Sequence, residues 1–137
     1  MTHKRSVPGL EPAQRVLGRE AWTPTPLMPA LSIGGRLGAE LWLKREDCVP
    51  GGSFKLRGAL VTMERLGASV PEKGVYVASS GNYGVAMALA GRRSGVPVTV
   101  TVPEGTTRSK LERIRLCGAR VIQHGEDFDA SKDFARA

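Results

Sequence analysis

The chain has 137 residues, enough for one domain with a real core, and its 41% hydrophobic and 24% charged residues are globular proportions. The net charge of +7 is interleaved with acids, as in Arg108-Ser109-Lys110-Leu111-Glu112-Arg113, and aromatics are only 5%, so platforms for stacking bases are scarce and nucleic acid is not an expected partner. No apolar run could span a bilayer, no secretory h-region follows Lys4 and Arg5, and Cys48 and Cys117 make neither a disulfide framework nor a zinc pattern, so a soluble, cytoplasmic, metal-free protein is expected.

Residues 1–10 read as a loose tail. A short helix is expected over Glu11 to Gly18, with Pro12 in its first turn and Gly18 ending it. Thr23-Pro24-Thr25-Pro26-Leu27 must be extended, because each proline pushes its predecessor out of the helical region. Ser32 to Leu37 is weakly patterned, and Gly34-Gly35 argues against a helix there. Ala39 to Lys44 reads as a strand. From Phe54 to Leu66, apolar residues at Phe54, Ala59, Leu60, Met63 and Leu66 have helical spacing.

Gly67 to Gly74 is a loop, and the apolar run Val75-Tyr76-Val77-Ala78 predicts a strand buried on both faces. Val85 to Arg93 is so rich in alanine and aliphatics that its helix must be largely buried, and Gly95 and Pro97 stop it. Val98 to Val102 is a second strand. Thr107 to Cys117 is a helix with Leu111 and Ile114 inward, closed by Gly118. Ala119 to Gln123 is a third strand, and Asp129 to Ala137 begins another helix. Alternating strands and helices imply an α/β fold, an open parallel sheet with helices on both faces.

Two loops could carry chemistry. In Gly51-Gly52-Ser53-Phe54-Lys55, Ser53 is a plausible N-cap and Lys55 would sit in the first turn of the helix. The positive end of the helix dipole disfavours an ammonium there and favours a neutral amine, which is a nucleophile and forms Schiff bases with carbonyl compounds. The ordinary alternative is a surface lysine whose long stem swings back to water.

The second loop, Ser79-Ser80-Gly81-Asn82-Tyr83-Gly84, lies at the carboxyl end of a strand and leads into a helix N-terminus, where free N–H groups suit a carboxylate or phosphate. A plain strand-to-helix turn capped by Ser or Asn is equally open. The glycines do not form G-x-G-x-x-G, no G-x-S-x-G is present, and no Ser or Thr follows Lys55 as a Walker loop requires.

Taken in order, Lys44-Arg45-Glu46-Asp47, Pro50, Gly52-Ser53-Phe54-Lys55, Arg57-Gly58-Ala59 and Ser79-Ser80-Gly81-Asn82-x-Gly84 resemble the fold-type-II pyridoxal-phosphate enzymes. The likeness is strongest to the threonine/serine dehydratase group, whose relatives include threonine synthase, serine racemase and cysteine synthase. Thr25-Pro26-Leu27, Val102-Pro103-Glu104, Lys110 and Gly118-Ala119-Arg120-Val121 also match, so the resemblance runs from about Trp22 to the last residue.

The resemblance implies pyridoxal 5′-phosphate as cofactor, held by Lys55 as a Schiff base, with Lys55 also moving the α-proton of the substrate. Asn82 would hydrogen-bond the 3′-oxygen of the pyridine ring, Phe54 would line the cofactor pocket, and Ser79, Ser80, Gly81 and Asn82 would hold the substrate carboxylate. The implied reaction is β-elimination from L-threonine or L-serine to a 2-oxoacid and ammonia. Threonine synthase or racemase chemistry on the same fold, and a non-catalytic anion-binding module, remain open. The family's habit implies a homo-oligomer.

Two positions depart from the family pattern. Gly51 stands where threonine is frequent, and Tyr83 where histidine is common, which leaves substrate preference open. The last helical pattern stops without a cap, and the family's glycine-rich phosphate loop would lie further along. An amino-terminal part lacking the carboxy-terminal half is therefore expected, with about 1–43 starting a larger lobe and about 44–137 forming a smaller one. Alone it should have weak activity or none.

Overall fold

Proline and glycine set most of the boundaries. The computed structural model describes residues 9–137, the side chain of Ala68 excepted; the tail expected over residues 1–10 lies outside them but for its last two residues. Helix α1, Glu11–Gly18, has Pro12 in its first turn and buries Val16 against the third helix. The extended prolines lead into β1, Leu27–Pro29, which pairs antiparallel with β2, Trp42–Lys44, in the register Leu27 to Lys44.

Between these strands lies a helix where the paired glycines argued against one, α2, Leu31–Leu37. The reason is space. A Cβ on Gly34 would fall 2.7 Å from the Ala39 carbonyl oxygen and 3.6 Å from the Leu41 nitrogen, so a bare glycine lets the helix lie on the returning chain. Close approach offsets the entropic cost of glycine in a helix.

Helix α3, Lys55–Leu66, buries Leu56, Ala59, Leu60 and Met63, while Phe54, which its spacing placed with them, is 57% exposed. It packs on α4, Asn82–Ser94. That helix buries Gly84, Val85, Ala86, Met87, Ala88, Ala90 and Gly91, as its alanine-rich composition predicts. Gly95, with φ 69°, closes it.

The main sheet is parallel, in the order β3 (Val75–Ala78), β4 (Val98–Val102), β5 (Arg120–Gln123). Every residue of β4 is buried. Strand β3 is not buried on both faces as its apolar run suggests: it lies at the sheet edge, and Tyr76 is 41% exposed. An apolar tetrapeptide fits an edge as well as a centre, and periodicity cannot separate the two.

Alternation along β4 divides the core. Val98 and Val100 face Gly91 and Gly84 of α4. On the opposite face the Thr101 hydroxyl donates to the Ser131 carbonyl oxygen at 3.0 Å, in α6, Phe128–Arg136. Helix α5, Arg108–Leu116, lies on the α4 side and buries Leu111 and Ile114. Helices thus cover both faces of an open parallel sheet. Among the described residues no helix is long and apolar enough to cross a membrane.

Candidate active site

Lys55 is the first residue of α3, in the first turn as its position in the sequence predicts. Ser53 does not cap that helix: Phe54 occupies the N-cap position and no side-chain cap is made. Backbone carbonyls replace it, with Leu56 N–H donating to Ser53 O at 3.5 Å and Arg57 N–H to Phe54 O at 3.1 Å. The Lys55 side chain is exposed, its Nζ 4.8 Å from the centroid of the Phe54 ring. It makes no ion pair among the described residues.

Two anchors hold this turn. Upstream, Gly51 and Gly52 have φ of 80° and 71°, the left-handed region that other residues rarely enter. Gly51 also lies so close to α4 that a Cβ would fall 2.8 Å from Leu89 Cδ1 and 3.1 Å from Val85 Cγ1. The loop before the lysine is thereby pressed onto the helix that starts at Asn82.

Downstream, Arg57 donates from Nε to Glu46 Oε2 at 2.8 Å and from Nη2 to Glu46 Oε1 at 2.9 Å. The Thr25 hydroxyl donates to Glu46 Oε1 at 2.7 Å, and the Arg57 guanidinium lies 5.0 Å from the centroid of the Trp22 ring. Lys44 Nζ donates to the Thr25 carbonyl. The hydrogen bonds from Arg57 hold the Glu46 carboxyl below the usual carboxylate range, against the opposing effect of burial.

The second loop follows β3. The Ser79 hydroxyl accepts from Gly84 N–H at 3.1 Å and from Gly81 N–H at 3.3 Å. That folds the loop over the start of α4 and leaves the backbone N–H groups of Asn82 and Tyr83 without a partner among the described residues. Ser80, Gly81 and Asn82 line a cleft of about 210 Å³ together with Val85, Ile114, Lys110 and Arg113.

Phe54 and Lys55 are not among the lining residues of that cleft. The two loops are connected instead by Arg113, which donates from Nη2 to Gly51 O at 2.7 Å and from Nη1 to Asn82 Oδ1 at 3.3 Å. In the sequence Arg113 is one of several basic residues interleaved with acids; only the three-dimensional approach of α5 to both loops distinguishes it. Among the described residues no group of three His, Cys, Asp or Glu could hold a metal ion. The assembled chemistry is one exposed amine, one side-chain amide and one amide-rich helix start beside two cations.

Comparison with known proteins gives these loops a lineage. The biosynthetic L-threonine dehydratase of Haemophilus influenzae is 37% identical over 113 residues, covering 82% of this chain and 22% of that protein. Threonine dehydratase 1 of Solanum lycopersicum is 38% identical over 112 residues, covering 82% of this chain and 18% of that one. The chain thus spans about a fifth of the length of these curated relatives.

Among solved structures, the processed form of threonine deaminase isoform 2 from Solanum lycopersicum superposes with a TM-score of 0.76 at 37% identity. That match covers 80% of this chain and 30% of that one. Serine racemase from Dictyostelium discoideum gives 0.79 at 31% identity, covering 93% and 42%. The family model for pyridoxal-phosphate dependent enzymes matches residues 19–137, and the chain belongs to that family.

Proposed function

We propose that this chain carries the lysine and carboxylate-binding loops of a pyridoxal-phosphate-dependent ammonia-lyase that converts L-threonine or L-serine to a 2-oxoacid and ammonia. One observation carries the reading: the Lys55 turn is held against the start of the Asn82 helix, through Gly51 on Val85 and Leu89 and through Arg113. The residues present fit the cofactor. Lys55 offers an exposed amine free of ion pairs among the described residues, Asn82 offers an amide, and the start of α4 offers N–H groups to a carboxylate.

Lys55 is the residue that would hold the cofactor, through its amine, and Phe54, whose ring centroid lies 4.8 Å from Nζ, would line the pocket beside it. Asn82 would hydrogen-bond the 3′-oxygen of the ring. Ser79, Ser80, Gly81 and Asn82 hold the substrate carboxylate at the start of α4. Lys55 Nζ, as a free amine, would be the base that takes the α-proton of the substrate. The β-hydroxyl then leaves with a proton as water, and hydrolysis of the resulting enamine gives the 2-oxoacid and ammonia. Pyridoxal phosphate, when bound, supplies the sink for the electron pair left at the α-carbon.

The relatives named threonine dehydratase support this reaction. The likeness to a serine racemase supports a second one, in which the proton returns to the α-carbon without loss of the hydroxyl. Analysis of products from L-serine separates them, since elimination gives pyruvate and racemisation gives D-serine. The proposal includes a cytoplasmic homo-oligomer, with about 1–43 starting a larger lobe and about 44–137 forming a smaller one. Two separate sheets, β1–β2 and β3–β4–β5, support that division.

The test is borohydride reduction of the protein after incubation with pyridoxal phosphate, followed by peptide mapping. Label concentrated on Lys55 and lost in Lys55→Ala is the expected result. Label spread evenly over surface lysines, unchanged by the substitution, would overturn the assignment.

A further inference from the structure

The Asn82 amide has two unlike ends. Its Oδ1 only accepts and its Nδ2 only donates, so a ring oxygen bearing negative charge can be met by one end alone. Asn82 is exposed in the first helical turn, and among the described residues its side chain makes no hydrogen bond within its own helix that would choose between the ends. The choice comes from α5. A guanidinium carries donors and no acceptor, so Arg113 can engage only the oxygen of the amide, and its Nη1 lies 3.3 Å from Oδ1.

The other arm of the same planar group reaches Gly51 O at 2.7 Å. The fork has fixed geometry, so one side chain sets the relative position of both groups. Gly52 adjoins the same group: a Cβ there would lie 3.5 Å from Arg113 Nη2, an ordinary contact. We propose that Arg113 is a positioning residue: it fixes the Asn82 amide with Nδ2 as the free, donating end and ties that amide to the loop that presents Lys55. This rests on the reading above, in which Asn82 donates to the 3′-oxygen of the cofactor. It adds a residue whose contribution comes through Asn82 and Gly51 rather than through contact with substrate.

The experiment compares Arg113→Ala and Arg113→Lys with the unaltered protein and reads two quantities. In the cofactor-free protein, the side-chain amide resonances of Asn82, identified by their loss in Asn82→Ala, should shift in Arg113→Ala. With pyridoxal phosphate added, absorbance titration should show binding weakened about tenfold in Arg113→Ala, the scale of one charge-assisted hydrogen bond. Arg113→Lys keeps one cationic donor and should recover part of that loss. The double variant Arg113→Ala/Asn82→Ala should bind only slightly more weakly than Asn82→Ala alone.

Unshifted amide resonances, unchanged affinity in Arg113→Ala, or fully additive losses in the double variant would each overturn the proposal. If Arg113→Ala does not fold, Arg113→Lys carries the test, because equal binding and unmoved resonances in that variant sink it as well. If the unaltered protein takes no pyridoxal phosphate on Lys55, the functional reading fails separately. The amide resonances then still decide whether Arg113 orients Asn82.

Discussion

In the parallel sheet, β4 is buried along its whole length between α4 and α6, whereas the antiparallel pair β1–β2 contains no buried residue. The first region is stabilised by aliphatic burial: Met87, Val100, Val102 and Ile114 are almost fully out of water. The second leaves Leu27, Met28, Trp42 and Leu43 exposed and is fastened by the hydrogen bonds around Glu46, including Thr25 at 3% exposure. The Lys55 turn lies between them in the chain, held on one side by the apolar region through Gly51 and on the other by the polar one through Arg57. Two unlike kinds of interaction therefore position one amine.

The largest effect should come from the apolar side. Ile114→Ala removes a side chain that is 1% exposed and that sits beside Gly84, just inside the Ser79 loop. A loss of about 2–5 kcal/mol is expected from lost transfer energy and the cavity left behind. Denaturant unfolding with an unchanged slope would measure it. A loss below about 1 kcal/mol would mean that α5 is not part of the stabilising core, and the contrast between the regions would collapse.

The same contrast explains what could be read from the chain. The alanine-rich run from Val85 to Arg93 and the valine-threonine alternation from Val98 admit few folds, and the buried helix and strand follow their composition. Helix α2 was illegible because Gly34 signals helix breaking in one dimension and close packing in three. Ser53 resembles a cap by residue type, but the chain turns so that Phe54 takes that place. Lys55 and Asn82 stand out by motif; Arg113 does not, because its role depends on the approach of α5 to two loops distant in sequence. Residues that act through long-range geometry leave little periodic trace.

A smaller and pH-dependent effect is expected from the polar side. Glu46→Gln keeps the shape and loses the charge that Arg57 grips with two hydrogen bonds, and about 1–2 kcal/mol should be lost near neutral pH. The folded-state carboxyl titrates below its unfolded value, chiefly because of Arg57. Its stabilising contribution is therefore complete above the unfolded pKa and is lost as pH falls through the folded one. Stability curves of the two proteins should converge on acidification. Curves that stay parallel down to the folded-state titration would show that Glu46 does not fasten the antiparallel pair.

The smallest effect is expected where apolar residues are large yet outside the core. Leu37 ends α2 and is 68% exposed, and Leu31 at its start is 79% exposed. An exposed leucine has little transfer energy left to lose, so Leu37→Gln should change stability by less than about 0.5 kcal/mol. The comparison with Ile114→Ala is then a difference between regions and not between residue types, since both substitutions remove a branched aliphatic side chain from a helix. A loss from Leu37→Gln above about 1 kcal/mol in the intact protein would show that another surface covers this face. In that case the polar fastening around Glu46 would share its task with burial, and the two regions would be alike in kind.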